Sequence, residues 1–101
     1  MFRKIQKMVR RPRSLTRDVT IVNQYGLHAR PAALFVKTAM KYEAEVSIEK
    51  DGNRVSGKSI MGLMTLEAGL GVRLRLTADG PDAQQALDEL QRLIENKFYE
   101  D

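Results

Sequence analysis

Val72-Arg73-Leu74-Arg75-Leu76-Thr77 alternates apolar side chains with charged or polar ones. A period of two is that of a strand with one buried and one wet face. Ala44-Glu45-Val46-Ser47-Ile48-Glu49 repeats the pattern, and Val19-Thr20-Ile21 gives a shorter version. Strands covered on both faces read as continuous apolar runs, so this alternation points to an antiparallel sheet with one solvated face. The remaining apolar residues must then cover the other face.

Those residues recur at helical spacing. Ala32, Phe35, Val36, Ala39 and Met40 predict a helix opened by Pro31 and running to about Tyr42. Ser59 is placed to cap a short helix from Ile60 to Leu66, with Gly69 beyond its end. Gly80-Pro81-Asp82 opens a third helix whose apolar face is Ala83, Ala86, Leu87, Leu90, Leu93, Ile94 and Phe98. Asp82 at its start and Arg92 and Lys97 toward its end suit the helix dipole. Asn23-Gln24-Tyr25-Gly26 and Asp51-Gly52-Asn53 are turn signals, and Val55 lies in a short returning strand. The order is β-α-β-β-α-β-α. It predicts an α/β chain of the α+β kind, a two-layer sandwich with a four-stranded antiparallel sheet and three helices on one face.

The chain has 101 residues and 43% hydrophobic content, enough for one core and too little for a doubly wound or barrel enzyme. There is no cysteine, which excludes a disulfide scaffold, a thiolate metal site and a thiol nucleophile. No apolar run approaches bilayer-spanning length, and the start lacks the apolar core of a secretory signal. The net charge of +4 is uneven. Seven basic residues and no acid lie in residues 1–17, and the remainder carries ten bases against thirteen acids. Residues 1–16 are therefore expected to be a basic, flexible extension, with the folded domain spanning 17–101. The extension has three readings: a salt-sensitive contact to nucleic acid or an anionic membrane, a disordered solubilising tail, or a mis-called start with Met8 or a later codon nearer the true one. Its arginine-rich, acid-free composition is also that of a mitochondrial transit segment.

Gly52-Asn53-Arg54-Val55-Ser56-Gly57-Lys58-Ser59 fits the nucleotide-binding pattern G-x-x-x-x-G-K-S. Phosphate binding needs these residues in one compact loop after a buried parallel strand. Here Asp51-Gly52-Asn53 reads as a hairpin tip, Arg54-Val55-Ser56 as a strand, and the sheet as amphipathic. A nucleotide site is not expected.

Gly26-Leu27-His28-Ala29-Arg30-Pro31-Ala32 sets the single histidine at a helix start, with an arginine two residues on. A lone histidine there can be a cap or a surface imidazole. A helix N-terminus, however, presents unpaired N–H groups and the positive dipole end, and Arg30 adds a planar fork for phosphate. Both favour a neutral, nucleophilic ring. A neutral imidazole beside an anion site is what a transient phosphohistidine requires.

This segment resembles the phosphorylation motif of the HPr family, histidine-containing phosphocarriers of the bacterial phosphoenolpyruvate-dependent sugar phosphotransferase system. Lys58-Ser59-Ile60-Met61-Gly62-Leu63-Met64-Thr65-Leu66 resembles the family's regulatory serine segment, at the family's separation from His28. The resemblance covers about residues 18–98 and implies an open-faced sandwich. It implies that His28 accepts phosphate on Nδ1 from phosphorylated enzyme I and passes it to enzyme IIA domains, with Arg30 steadying the group. The protein would be a cytoplasmic, monomeric phosphoryl carrier rather than a stand-alone enzyme, with no cofactor and no metal. The matching partner face is Ala29, Ala33, Ile60, Met61 and Met64, although Ile60 and Met64 at helical spacing also fit an ordinary core. Ser59 is either a cap or a site for an HPr kinase/phosphorylase. A regulatory phosphoprotein of the same fold, without sugar transport, is the alternative. The extension is the departure, since family members begin near the position of Arg17.

Overall fold

The computed structural model describes residues 13–100. Its elements are β1 (Ser14–Thr20), α1 (Ala29–Ala39), β2 (Glu45–Lys50), β3 (Asn53–Ser56), α2 (Ile60–Met64), β4 (Arg73–Asp79) and α3 (Ala83–Glu95), followed by a short turn of helix at Lys97–Tyr99. The four strands form one antiparallel sheet in the order β1-β4-β2-β3. The expected α+β architecture is present, with the three helices on one face.

The alternation decides which face is covered. Leu74, Leu76 and Ala78 of β4 and Val46 and Ile48 of β2 are buried, while Arg73, Arg75 and Glu45 are exposed. Phe35 of α1, Leu63 of α2 and Leu87, Leu90 and Ile94 of α3 meet them in a single core. Six of the seven residues expected on the apolar face of the third helix lie on α3 and are buried, and the seventh, Phe98, is buried from the turn that follows it. On the solvated face Arg75 Nε donates to Asp18 Oδ1 at 3.0 Å, and this bond holds the Asp18 carboxyl below its usual range.

Several boundaries move. β1 starts at Ser14, in register with Asp79, so the expected limit between 16 and 17 cuts into the edge strand. Arg17 is part of this strand, and its Nη1 donates to Asp88 Oδ1 at 2.7 Å and Gln91 Oε1 at 3.0 Å on α3. The rest of the extension, residues 1–12, lies outside the described residues. α1 stops at Ala39 rather than near Tyr42, because the following backbone is taken elsewhere. Asp82 accepts the N–H groups of Glu43 and Ala44, each at 2.9 Å, and the Tyr42 hydroxyl donates to Glu89. α2 ends at Met64 instead of Leu66. Glu67, not Gly69, takes the left-handed conformation (φ 52°), and Lys50 Nζ donates to the Leu66 and Glu67 carbonyls at 3.0 and 3.3 Å.

The G-x-x-x-x-G-K-S segment is spread over a hairpin, as expected. Gly52 is in the turn, Asn53–Ser56 is β3 paired to β2, and Ser59 caps α2. Gly57 packs so tightly that a Cβ there would lie 2.5 Å from Val46 Cγ1, and Lys58 Nζ donates to Tyr42 O at 2.9 Å. Its backbone amides form no single loop around an anion.

Candidate functional site at the start of the first helix

His28 is the N-cap residue of α1, with extended backbone and no side-chain cap bond. Its carbonyl accepts the first helical bond, from Ala32 N–H at 2.9 Å. The N–H groups of Ala29 and Arg30 precede that bond and Pro31 has none to offer, so the end of the helix faces outward with donors free of intrahelical partners. No acid stands in the first turn.

Gly26 sets the approach to this end. Its φ is 69°, and a Cβ would lie 2.4 Å from Ala68 O, so only glycine fits. Leu27 N–H donates to the same Ala68 carbonyl at 2.9 Å, and the Leu27 side chain is buried. The loop leaving α2 is thereby pinned against the loop entering α1. Tyr25, His28, Met64 and Glu67 line one shallow groove as a result.

The His28 side chain is 41% exposed and opens into a cavity of about 400 Å³ with Gln24, Tyr25, Arg30, Tyr99 and Glu100. The Tyr25 ring stands edge-on to the imidazole, centroids 6.4 Å apart. Arg30 is exposed in the same cavity. His28 Nε2 lies 3.1 Å from Glu100 Oε2, and Asn23 Nδ2 donates to Glu100 Oε1 at 3.0 Å. Neither Glu100 nor Asn23 was expected at the site from the sequence. Asn23 read as a turn residue, and Glu100 is brought in by backbone reversal that its sequence does not signal.

Ser59 caps α2, its Oγ accepting from Gly62 N–H at 3.0 Å. The partner-face residues Ala29, Ala33, Ile60, Met61 and Met64 are all exposed. For Ile60 and Met64 this replaces the core alternative, since each is 40% exposed while Leu63 between them is fully buried. Met64 reaches the His28 groove, and α1 packs beside α2.

Residues 15–96 match the family model described as the PTS HPr component phosphorylation site. The chain belongs to the HPr family. It is 42% identical over 87 residues to the phosphocarrier protein HPr of Treponema pallidum, covering 86% of this chain and 99% of that one. It is 46% identical to the HPr-like protein Crh of Halalkalibacterium halodurans, covering 80% of this chain and 96% of that one. The crystal structure of HPr from Thermoanaerobacter tengcongensis superposes with a TM-score of 0.83 at 46% identity, covering 86% and 98% of the two chains. The HPr family is a phosphohistidine-carrying family of the phosphotransferase system, and this chain has its fold and its phosphorylation-site domain. Among the described residues no helix is long and apolar enough to cross a membrane.

Proposed function

We propose that His28 is the phosphoryl acceptor of a cytoplasmic, monomeric carrier. The protein takes the group from phosphorylated enzyme I and gives it to enzyme IIA domains. The observation that carries this reading is the position of His28, half-exposed at a helix end whose first amides have no intrahelical partner, with Arg30 in the same cavity. In the transferred state the phosphoryl oxygens meet the amides of Ala29 and Arg30 and the Arg30 guanidinium. The chemistry belongs to the pair of proteins, so the chain is a carrier and needs no cofactor or metal.

Partner docking falls to Ala29, Ala33, Ile60, Met61 and Met64, supported by their exposure around the histidine. Two methionines there give an apolar surface able to adapt to more than one partner. Ser59 is read as a regulatory phosphosite for an HPr kinase/phosphorylase, since two charges at the start of α2 would stand beside Ile60 and Met61. The Crh likeness favours a second reading, a regulatory phosphoprotein without sugar flux. The pairing of His28 with Arg30 favours the carrier. Residues 1–12 are proposed to be dispensable for transfer, with any contact to nucleic acid or anionic membrane a separate property.

The test is transfer from phosphoenolpyruvate and enzyme I. Wild-type protein is expected to take an acid-labile, base-stable label, as a phosphoramidate does, and His28→Ala none. A label persisting on His28→Ala would overturn the assignment.

A further inference from the structure

Among the described residues, Glu100 is the one acid lining the cavity that His28 shares with Arg30. Its carboxylate is divided between two partners. Oε2 lies 3.1 Å from His28 Nε2, and Oε1 accepts from Asn23 Nδ2 at 3.0 Å. Asn23 is 1% exposed, and the same Nδ2 donates to Gly26 O at 2.8 Å. Gly26 in turn is fixed by its close packing on Ala68. The carboxylate is thus held from behind by a buried amide that is tied to the loop leading into His28.

The chain reaches this position by an unusual route. Lys97, Phe98 and Tyr99 have φ of 58°, 54° and 59°, three consecutive non-glycine residues in the left-handed region. L-residues take that conformation only where the surroundings impose it. Phe98, 3% exposed in the core, anchors the turn, and Glu100 N–H closes it on Lys97 O at 2.9 Å. The reversal carries the Glu100 side chain back to the start of α1, where it is 15% exposed.

We propose that Glu100, held by Asn23, is the positioning residue of the phosphoryl acceptor. It keeps the proton of the neutral imidazole on Nε2 and leaves the Nδ1 lone pair free. This rests on the reading of His28 as acceptor. A carboxylate can accept only from a protonated ring nitrogen, and a neutral imidazole has one proton, so the bond at Nε2 selects the tautomer with Nδ1 bare. During transfer Nδ1 attacks the phosphorus of a donor phosphoimidazole. The new N–P bond forms as the donor's N–P bond breaks, and that bond's electron pair returns to the donor nitrogen. The His28 ring, now substituted at Nδ1 and protonated at Nε2, carries positive charge that the carboxylate offsets until the phosphoryl group moves on. A carboxylate behind a catalytic imidazole works in the same way in hydrolase triads.

The experiment is ring-nitrogen NMR of histidine-labelled protein, read beside the rate of phosphoryl acceptance. His28 is the chain's single histidine, so the spectrum is unambiguous. Wild-type neutral protein is expected to carry its proton on Nε2. Glu100→Ala should spread the proton over both nitrogens and slow acceptance roughly tenfold, the weight of one charge-assisted bond at a partly exposed site. Glu100→Gln keeps an acceptor oxygen and should restore the Nε2 tautomer with only part of the rate. A tautomer and a rate unchanged in Glu100→Ala, while His28→Ala loses its label, would overturn the positioning role alone. A label kept by His28→Ala would overturn the acceptor reading and this role with it.

Discussion

At the start of α2 the Ser59 hydroxyl accepts the Gly62 amide at 3.0 Å. At the start of α1 the same position is His28, whose ring reaches away from its helix to Glu100. Both ends present orphan N–H groups and the positive dipole end. One is closed by its own first side chain, and the other is left open beside a half-exposed imidazole and an arginine. A helix of five residues, with Leu63 its one buried side chain, gains much from its cap. α1, with eleven residues and Phe35 fully buried, is held by its packing and can leave its end free for an anion. The two ends also share a surface, because the Ala68 carbonyl ties the exit of α2 to Leu27.

The largest effect should come from charging the closed end. Ser59→Asp places a carboxylate where the dipole tolerates it, so the melting temperature should hold or rise. It also sets a charge beside Ile60 and Met61, where docking would strip its water. Acceptance from enzyme I should fall at least about tenfold, a barrier increase near 1.4 kcal/mol. Ser59→Ala, which loses the cap without adding charge, should instead cost about 1 kcal/mol of stability and leave transfer near wild type. Equal transfer in wild type and Ser59→Asp would reduce Ser59 to a cap and separate the two ends functionally.

The sheet was legible in the sequence because a period of two in Val72–Thr77 and Ala44–Glu49 has few other meanings, and α3 because its apolar stripe runs over four turns. That His28, Arg30 and Ser59 stand at helix starts was legible from Pro31 and from the capping chemistry of Ser59. The ends of α1 and α2 were not legible. They depend on Asp82 and Lys50, which reach across the fold to bond backbone groups 38 and 16 residues away. Glu100 was invisible for a similar reason. Its approach depends on a left-handed turn without a glycine, 72 residues from His28. β1 was read too short because Leu15 is 40% exposed and Arg17 is charged, so the alternation is blurred at the sheet edge.

That edge gives the next effect in size. A chain begun at Arg13 keeps the pairs Ser14–Asp79, Leu15–Ala78 and Thr16–Thr77, and should melt with the full protein. A chain begun at Arg17 loses all three, at a cost of about 1–2 kcal/mol. At roughly 4–8 °C per kcal/mol for a domain of this size, the difference is readily measured. Both should still accept phosphate at 25 °C, since the ladder lies at the far end of β1 from His28. Identical melting of the two would mean that Ser14–Thr16 add nothing to the sheet.

The smallest effect concerns a third helix start. Asp82 is the N-cap of α3, yet it makes no side-chain bond to its own helix. Its oxygens accept the N–H groups of Glu43 and Ala44 instead, each at 2.9 Å. The bond from Glu43 foremost, with that from Ala44, holds the Asp82 carboxyl below its usual range. A depressed carboxylate contributes stability that is complete above the unfolded value, about 3.9, and is lost as pH falls through the folded one. Asp82→Asn removes the charge and turns an N–H toward one of the two amides. The gap in melting temperature between wild type and Asp82→Asn should therefore stay constant from pH 7 to about 5, narrow below about 4 and be smallest at the acid extreme. Asp18 and Glu89 also sit below their usual range, the first through Arg75 and the second through Lys41 and then Tyr42, but they titrate alike in both proteins and cancel from the difference. A gap that is constant or widens with acid would mean that Asp82 acts through shape alone. The start of α3 would then resemble the uncharged cap of α2 and would no longer be a third way of using a helix end.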